Sequence, residues 1–194
     1  MMHSFRRACN CTVFKYNIIV YVNSSFIISI INSESCVIIP SRFDDYNVVG
    51  IEYYALQNLY GVSTIIIPGG VYDMQASSFT YCSSLQEIQF DSFNWHFFSD
   101  NGLLYNSDGT TLIRCPEGAS EVSIPTSVDC IGYGAFENCS NVGCIMLPDD
   151  LLYIEPYTFS GCENLSSIEI PNKVKSIGSA AFRDCNSLQE VRIP

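Results

Sequence analysis

Three landmark residues recur along the chain every 23 residues. They are a proline that closes an apolar alternation, a phenylalanine and a cysteine: Pro125, Pro148, Pro171 and Pro194; Phe136, Phe159 and Phe182; Cys139, Cys162 and Cys185. An earlier copy at 62–84 carries the same three residue types in the same register. A period of roughly 20 to 50 residues is typical of solenoids, because a single unit cannot bury its apolar side and must stack on its neighbours.

The clearest unit, LSSIEIPNKVKSIGSAAFRDCNS at 165–187, predicts its own local structure. Apolar and polar residues alternate over 167–170, which predicts a strand with one buried face, and Pro171 ends it because proline cannot donate to a sheet ladder. Gly178 permits a turn, and 181–185 is typical of one helical or 3₁₀ turn. Stacked units therefore predict a β-rich α/β solenoid, a curved parallel β-sheet with short 3₁₀ or helical turns on its convex side.

About six repeats account for most of the chain. The predicted domains are an N-terminal cap at 1–36 and a repeat array at 37–194, with units at 37–61, 62–84, 85–118, 119–141, 142–164, 165–187 and, in part, 188–194. In the irregular first unit, Ile51 and Leu56 stand where Ile177 and Phe182 stand in the regular one, and the extra residues fall at Asp44–Asp45.

Two β-hairpins are predicted outside the regular period. Within the unit at 85–118, the insert at 97–116 has two apolar runs on either side of Ser107-Asp108-Gly109, which is a hairpin signal. In the cap, YNIIVYV and FIISIIN flank Asn23-Ser24-Ser25. This second hairpin is expected to cover the open first edge of the sheet.

The motif LxxIxIPxxVxxIGxxAFxxCxxL, as it stands from Leu165 to Leu188, resembles the BspA-type leucine-rich repeat, the treponemal class of that superfamily. The insert DNGLLYNSDGTTLIRCP is similar to one that recurs within such arrays. The resemblance covers roughly residues 37–194. It implies a leucine-rich repeat solenoid, found in cell-surface or secreted proteins of mucosal bacteria and parasitic protists that bind host or matrix proteins and other cells. The turns Asn138–Cys139 and Asp184–Cys185 are more similar to the protist members.

Composition disfavours several other classes of function. With 20 acidic and 9 basic residues the formal net charge is -11, so the chain repels a phosphate backbone and nucleic acid is not a predicted partner. The two histidines, His3 and His96, offer little for acid–base or metal chemistry. We predict no enzyme activity, catalytic residue, cofactor or metal site, and interpret His96 beside Trp95 as part of a structural aromatic cluster. No apolar stretch reaches the roughly 18 residues that a membrane span requires.

Alternation along each strand predicts which side chains face solvent on the concave side. The first column is Cys36, Thr64, Glu87, Glu121, Cys144, Ser167 and Glu190, and the second is Ile38, Ile66, Gln89, Ser123, Met146, Glu169 and Arg192. All of these except Cys36 and Cys144 are predicted to bind the ligand. The apolar residues among them are not needed by the core, and solenoids commonly bind partners on such a surface. The other interpretation also stays open: single exposed apolar residues are ordinary, and the insert folds over some of them.

The predicted function is non-enzymatic protein binding or adhesion, with a protein or glycan ligand at a cell surface or matrix. Cell-surface or secreted localisation follows from the resemblance alone. The alternative is self-assembly through the strand edge at 188–194, where the chain stops one strand into a new repeat. The favoured explanation of that edge is a fragment of a longer repeat protein or a short paralogue, and edge dimerisation is kept as a hypothesis.

Ten cysteines are present, and their position decides their role. Those at one repeat position, Cys82, Cys139, Cys162 and Cys185, are predicted to line the inner side as a ladder of buried free thiols that pack as small hydrophobes. The remaining cysteines lie off this ladder, and a bridge between Cys115 and Cys130 is left open. Spacing does not favour zinc.

Overall fold

The structure is a computed structural model that describes residues 19–22, 25–28, 31–33, 35–43 and 45–193. Within these residues the strands are, in chain order, β1 (Ile19–Val22), β2 (Ser25–Ile28), β3 (Ile31–Ser33), β4 (Cys36–Ile38), β5 (Arg42–Phe43), β6 (Tyr46–Asn47), β7 (Gly50–Ile51), β8 (Thr64–Ile67), β9 (Asp73–Met74), β10 (Glu87–Phe90), β11 (Phe97–Asp100), β12 (Leu103–Asn106), β13 (Thr111–Arg114), β14 (Cys130–Ile131), β15 (Tyr153–Ile154), β16 (Ser167–Glu169), β17 (Ser176–Ile177) and β18 (Glu190–Arg192). A 3₁₀ helix spans Ala76–Phe79.

Two sets of parallel strands run through the repeats. The first ladder contains the strand at the start of each unit: β4, β8 and β10 pair in one half, and β16 pairs with β18 in the other. The second ladder consists of two-residue strands from the middle of the units together with the four-residue β13 of the insert; it pairs β7 with β9 and joins β13, β14, β15 and β17. Ser167 pairs with Glu190 and Ile154 with Ile177, one period apart. The solenoid and its 23-residue period are therefore confirmed.

Strands β1 to β3 lie in the segment predicted to be the N-terminal cap. β1 pairs antiparallel with both β2 and β7, and β3 pairs antiparallel with β4. Antiparallel strands thus cover the first parallel strand of both ladders. The boundary at residue 36 stays a prediction. In the irregular unit, β5 and β6 form a small hairpin at the predicted insertion, where Asp44 lies outside the described residues.

The insert is a meander of three strands, one more than the predicted hairpin. β11 pairs antiparallel with β12, and β12 with β13. Asn101 (φ 49°) and Gly102 (φ 80°) make the turn between β11 and β12, and two successive left-handed residues are what a type I′ hairpin turn requires. β13 pairs parallel with β14. The insert therefore delivers its last strand into the second ladder.

Tight turns make up the side of the solenoid opposite the strands. Each of the last three turns holds two residues with positive φ, four positions apart: Gly134 and Asn138, Tyr157 and Gly161, Ala180 and Asp184. Backbone N–H groups of one turn donate to carbonyls of the next, as from Phe159 to Ala181 at 2.8 Å. At 181–185 the structure thus has a tight turn, with left-handed residues at Ala180 and Asp184, in place of the predicted helical or 3₁₀ turn. Within the described residues the 3₁₀ helix is the one helix.

Gly178 has a role different from the predicted one. It is not among the residues with positive φ, so the turn does not depend on its conformational freedom. A Cβ at this position would lie 2.2 Å from the nitrogen of Pro156 and 2.5 Å from the carbonyl carbon of Glu155. The glycine is there because neighbouring coils of the backbone approach each other too closely for a side chain.

Two clusters of buried apolar side chains fill the solenoid and meet in the insert, at β12 and β13. The first core extends from Val37 to Leu104 and the second from Leu103 to Ala181. Successive side chains of a strand point to opposite faces, so Leu104 packs into the first core while Leu103 and Tyr105 pack into the second. In the second core the rings of Phe136, Phe159 and Phe182 stack at centroid distances of 5.2 and 5.4 Å.

Candidate interaction surface

We define the first-ladder face as the outward side of the first ladder, where the predicted ligand-binding residues lie. In the N-terminal half, Thr64 pairs with Glu87, and Ile66 pairs with both Ile38 and Gln89. These five side chains all lie outside the buried core: Ile38 is 49% exposed, Glu87 and Gln89 are exposed, and the other two are half-buried. The period-2 alternation thus correctly predicts which side chains of this half point away from the core.

The insert interrupts the first-ladder face after β10. The Ile88 N–H of β10 donates to the Gly102 carbonyl of the insert at 3.1 Å, rather than to the unit that follows in the period. Residues 119–125, which contain Glu121 and Ser123, form no strand. The two predicted columns are therefore not continuous, because the meander takes the place beside β10.

A depression lies on either side of this interruption. The larger, of about 750 Å³, is in the C-terminal half and is lined by Met146, Ser167, Glu169 and Arg192 of the predicted set, with the exposed thiol of Cys144. Met146 is 83% exposed. The smaller, of about 460 Å³, contains Glu87 and Gln89. The rest of the predicted set lines neither depression: Ile38, Thr64, Ile66, Glu121, Ser123 and Glu190.

Acidic and basic side chains pair within the C-terminal strand. The Arg192 guanidinium donates to Glu190 at 2.9 Å. This contact lowers the pKa of Glu190 and raises that of Arg192. Both groups are exposed, so the pair contributes little to the stability of the fold.

The smaller depression is bordered by an aromatic loop whose exposed rings the sequence did not predict. We define the aromatic loop as residues 91–97. As predicted for an aromatic cluster, His96 contacts other rings: Tyr72 at 5.8 Å and Phe97 at 6.4 Å between centroids. Phe93 and Trp95, however, are 73% and 78% exposed, and their rings meet edge to face at 4.8 Å. The sequence contained a signal for this exposed pair, because Phe93 and Trp95 flank a single asparagine and therefore stand two positions apart.

Asn94, the residue between the two exposed rings, is buried and holds the loop in place. Its side-chain amide donates to the Val71 carbonyl at 2.6 Å, and its side-chain oxygen accepts from the N–H groups of His96 (2.7 Å) and Phe97 (3.0 Å). A buried amide that is bonded on both sides fixes the local backbone. The loop is therefore pre-organised with Phe93 and Trp95 directed to solvent.

Basic side chains are confined to the two ends of the chain, with one exception. Between Arg42 and Lys173 the single lysine or arginine is Arg114. Its side chain is 1% exposed, and its guanidinium bonds the Glu117 carboxylate at 2.7 Å. Residues 43–172 therefore contribute no exposed lysine or arginine of their own. Toward the C-terminal end Lys173 pairs with Asp150, whereas no ion pair is formed by the described carboxylates of 45–100.

The Arg114–Glu117 pair was not anticipated from the sequence. Arg114 also donates to the Gly134 carbonyl at 2.9 Å, and Glu117 accepts from the Tyr81 N–H at 2.8 Å. Burial raises the pKa of Glu117, although the adjacent guanidinium opposes that shift. The pair lies in the unit lengthened by the insert, and it connects the backbone of the unit before, at Tyr81, with that of the unit after, at Gly134.

The four thiols of the predicted ladder are free, three of them buried and Cys185 half-buried, and each donates to a backbone carbonyl of the preceding unit. The thiol of Cys82 donates to the Leu56 carbonyl at 2.9 Å, and that of Cys162 to the Phe136 carbonyl at 3.2 Å. Cys185 bonds the Phe159 carbonyl in the same way at 3.0 Å. Leu56 thus stands where the phenylalanine of a regular unit stands, as the sequence predicts.

Four of the six cysteines outside the ladder lie among the residues that the structure describes. Cys115 is buried and Cys130 half-buried, and both carry free thiols, so the bridge left open between them is not formed. Cys9 and Cys11 lie outside the described residues. Among the residues that the structure describes, no group of three or more His, Cys, Asp or Glu side chains is placed to hold a metal ion. In the same part of the chain no helix has the length and hydrophobicity to cross a membrane.

Comparison with known proteins assigns the repeats to a family. The model of the BspA type leucine rich repeat region matches the chain in six copies, over residues 32–117 and 114–194. No curated protein matches the chain significantly.

Several solved structures share the fold. A leucine-rich repeat protein from Eubacterium ventriosum is 27% identical with a TM-score of 0.63, over 68% of this chain and 36% of that one. The pneumococcal vaccine antigen PcpA is 21% identical with a TM-score of 0.62, over 74% and 42%. A leucine rich cell surface protein from Faecalibacterium prausnitzii is 21% identical with a TM-score of 0.56, over 75% and 51%. The chain thus spans about half or less of each, and these bacterial relatives lend no support to a protist source.

Proposed function

Because the chain belongs to the BspA-type leucine-rich repeat family, we propose that it is a non-enzymatic binding or adhesion module that presents the first-ladder face to a partner at a cell surface or in a matrix. Proteins of this repeat class act typically as scaffolds rather than catalysts. The predicted location at the cell surface is supported by the relative from Faecalibacterium prausnitzii, which is described as a cell surface protein.

One observation carries the proposal: the first-ladder face exposes apolar side chains, and one of them, Met146, lines the larger of its two open depressions. Met146 is 83% and Ile38 49% exposed, although the core beneath them is already filled by their inward neighbours Ile145 and Val37. Apolar residues exposed in clusters mark interaction surfaces more often than those exposed singly. Both protein and glycan partners suit such depressions, and the partner of the proposed module is one of these two classes.

Cell binding tests the proposal directly. The labelled protein is applied to epithelial monolayers and to matrix-coated plates, and bound protein is measured against concentration. Ile66→Asp and Met146→Asp place a charge on the first-ladder face and should weaken binding at least about tenfold, because a desolvated carboxylate opposes contact. Tyr133→Asp, an exposed aromatic on the turn side, serves as the matched control and should bind like the parent. Equal binding by all three variants would refute the proposed face.

The alternative, self-assembly through the last strand, has its own test. Val191 and Ile193 are 37% and 68% exposed at β18, and an exposed strand edge is able to pair with a second chain. If assembly is the function, light scattering should detect oligomers of the parent protein that Val191→Lys abolishes. A monomeric parent protein that still binds cells would exclude this alternative.

A further inference from the structure

We propose that the aromatic loop and the smaller depression beside it are a docking site for a lysine- or arginine-bearing segment of a partner protein. The inference rests on the proposed function and specifies the chemistry of the partner. In this arrangement a cationic side chain lies against the rings of Phe93 and Trp95, and Glu87 on the floor of the depression bonds a second cation of the same segment.

The two rings are arranged to receive a cation. They meet edge to face at 4.8 Å and 88°, so each contacts its neighbour without stacking and keeps most of its surface in solvent. A guanidinium or ammonium placed over the face of an aromatic ring is attracted by the ring quadrupole, most strongly by tryptophan. Phe93 also lines the depression together with Glu87 and Asn101. Aromatic and carboxylate groups therefore converge on one opening.

Charge complementarity selects the occupant. Arg114 is the one lysine or arginine between Arg42 and Lys173, and it is buried. By contrast, the carboxylates of Glu87, Asp91 and Asp100 are exposed around the loop. A cationic segment is drawn toward such a field and an anionic one is repelled. A neutral glycan gains nothing from it.

Two carboxylates offer acceptors at this site: Glu87 lines the depression and Asp91 lies at the start of the adjoining loop. The side-chain amide of Gln89 donates to Glu87 at 2.7 Å, so one of its two N–H donors is occupied. Asp91 accepts from the Gly69 N–H at 3.1 Å and from the Ser92 hydroxyl at 2.6 Å, which fixes its carboxylate at the start of the loop. Ammonium and guanidinium groups are donors only, and they match this set better than a sugar hydroxyl that needs both kinds of partner.

The loop needs no ordering when it binds. Asn94 holds its backbone through three hydrogen bonds, and the coil packs so closely against Gly69 that a Cβ there would lie 2.5 Å from the Phe93 carbonyl. A site that is rigid before binding does not lose conformational entropy on contact. The backbone contacts of the loop thus hold both rings in solvent, where they bury little apolar surface and contribute little to the stability of the fold.

Tryptophan fluorescence reports on this site alone, because Trp95 is the one tryptophan of the chain. We would titrate the full chain with a ten-residue oligolysine peptide, a ten-residue oligoglutamate peptide and the neutral oligosaccharide cellohexaose. Oligolysine should change the Trp95 emission saturably, and raising the salt concentration should weaken its binding. Oligoglutamate should have no effect. A saturable response to cellohexaose without one to oligolysine would overturn the proposal in favour of a glycan.

Variants separate a built site from general attraction to an acidic protein. With a fluorescent oligolysine peptide followed by anisotropy, Phe93→Ala, Trp95→Ala and Glu87→Gln should each weaken binding by roughly threefold to tenfold. The matched controls Tyr133→Ala and Glu163→Gln remove an exposed aromatic and an exposed carboxylate on the turn side and should leave affinity unchanged. Equal losses in the two sets would overturn the proposal.

The cell-binding assay distinguishes failure of this inference from failure of the proposed function. If Phe93→Ala and Trp95→Ala bind cells like the parent protein while Ile66→Asp does not, the first-ladder face functions without the aromatic loop, and the inference is wrong. If the parent protein binds oligolysine at Trp95 but no cell or matrix, the docking site stands and the proposed adhesion function fails.

Discussion

Each buried cysteine of the repeat joins its own coil to the previous one. The thiol at one repeat position donates to a carbonyl about one period earlier, as from Cys162 to Phe136 and from Cys185 to Phe159. The residue just before the cysteine has positive φ in all three regular turns: Asn138, Gly161 and Asp184. Asn, Asp and Gly tolerate this left-handed backbone best. The turn sequence is therefore set jointly by a backbone conformation and by a small buried donor.

Ionisation of Cys82 should make stability depend on pH in the alkaline range. Burial raises the pKa of its thiol to about 11, whereas the pKa of a cysteine thiol in the unfolded chain is about 8.5. The native state then retains a proton that the unfolded state has lost, so the unfolding free energy falls as pH rises from about 8.5 to 11 by roughly 2 to 3 kcal/mol, and the contribution is fully present below that range. Urea titrations at pH 7.5 and 10.5 in reductant should show Cys82→Ala losing less stability than the parent protein. Parallel losses would contradict the assignment.

The Arg114–Glu117 pair should be sensitive to the loss of one partner. Replacing Arg114 by Met leaves a carboxylate that is 2% exposed with no cation, and uncompensated buried charges typically destabilise by about 3 to 5 kcal/mol. Denaturant unfolding of Arg114→Met measures this effect. The double variant Arg114→Met/Glu117→Gln should recover part of the loss, since a neutral amide is less costly to bury. A single variant within about 1 kcal/mol of the parent would show that the pair is replaceable.

Among the elements, close contact between coils should make Gly178 hard to replace. A Cβ there meets backbone atoms of Pro156 and Glu155 at 2.2 and 2.5 Å, and backbone cannot move aside as a flexible side chain does. Gly178→Ala should therefore lower the unfolding free energy by about 1 to 3 kcal/mol. Gly70→Ala is the control, because the nearest atom to its Cβ is the Val48 carbonyl oxygen at an ordinary 3.6 Å. Thermal unfolding of the two variants compares them, and equal melting temperatures would refute the contact.

How far the sequence predicts an element depends on whether the repeat specifies it. The strands β16 and β18 follow from alternation and from the proline that closes it, and the structure pairs them one period apart. The insert breaks the period, so its place beside β10 was not predictable, because no sequence rule fixes which edge a meander joins. The face was accordingly expected as two continuous columns, and Glu121 and Ser123 were placed in a strand that does not form.

The candidate site, like the fold, was predictable only in part, where it depends on a single strand. Period-2 alternation identified Glu87 and Gln89 as outward-facing, since both positions depend on one strand alone. The exposure of Phe93 and Trp95 depends instead on Asn94, whose side chain bonds a carbonyl some 23 residues earlier in the chain. Such a contact exists only once the coils are stacked, which is why the sequence predicted an aromatic cluster here but not the exposure of Phe93 and Trp95.

At the scale of the whole molecule, the two cores meet within the insert, at β12 and β13. Leu104 of β12 belongs to the first core and its neighbour Leu103 to the second, and the polar Arg114–Glu117 pair lies in the same unit. In a solenoid each unit contacts only its neighbours, so stability is close to a sum of local terms. A perturbation should therefore remain within the core in which it is made.

Hydrogen exchange on a matched pair of substitutions tests this independence. Ile65→Val and Ile154→Val remove the same methylene from fully buried strand positions, one in each core, and each should lower the unfolding free energy by about 1 kcal/mol. Amides from 36 to 90 should exchange roughly fivefold faster in Ile65→Val alone, and amides from 128 to 177 in Ile154→Val alone. Equal acceleration of both segments in both variants would mean that β12 couples the cores into one cooperative unit. In that case the insert would act as a structural bridge, and binding at the aromatic loop would be able to stabilise the distant half of the first-ladder face.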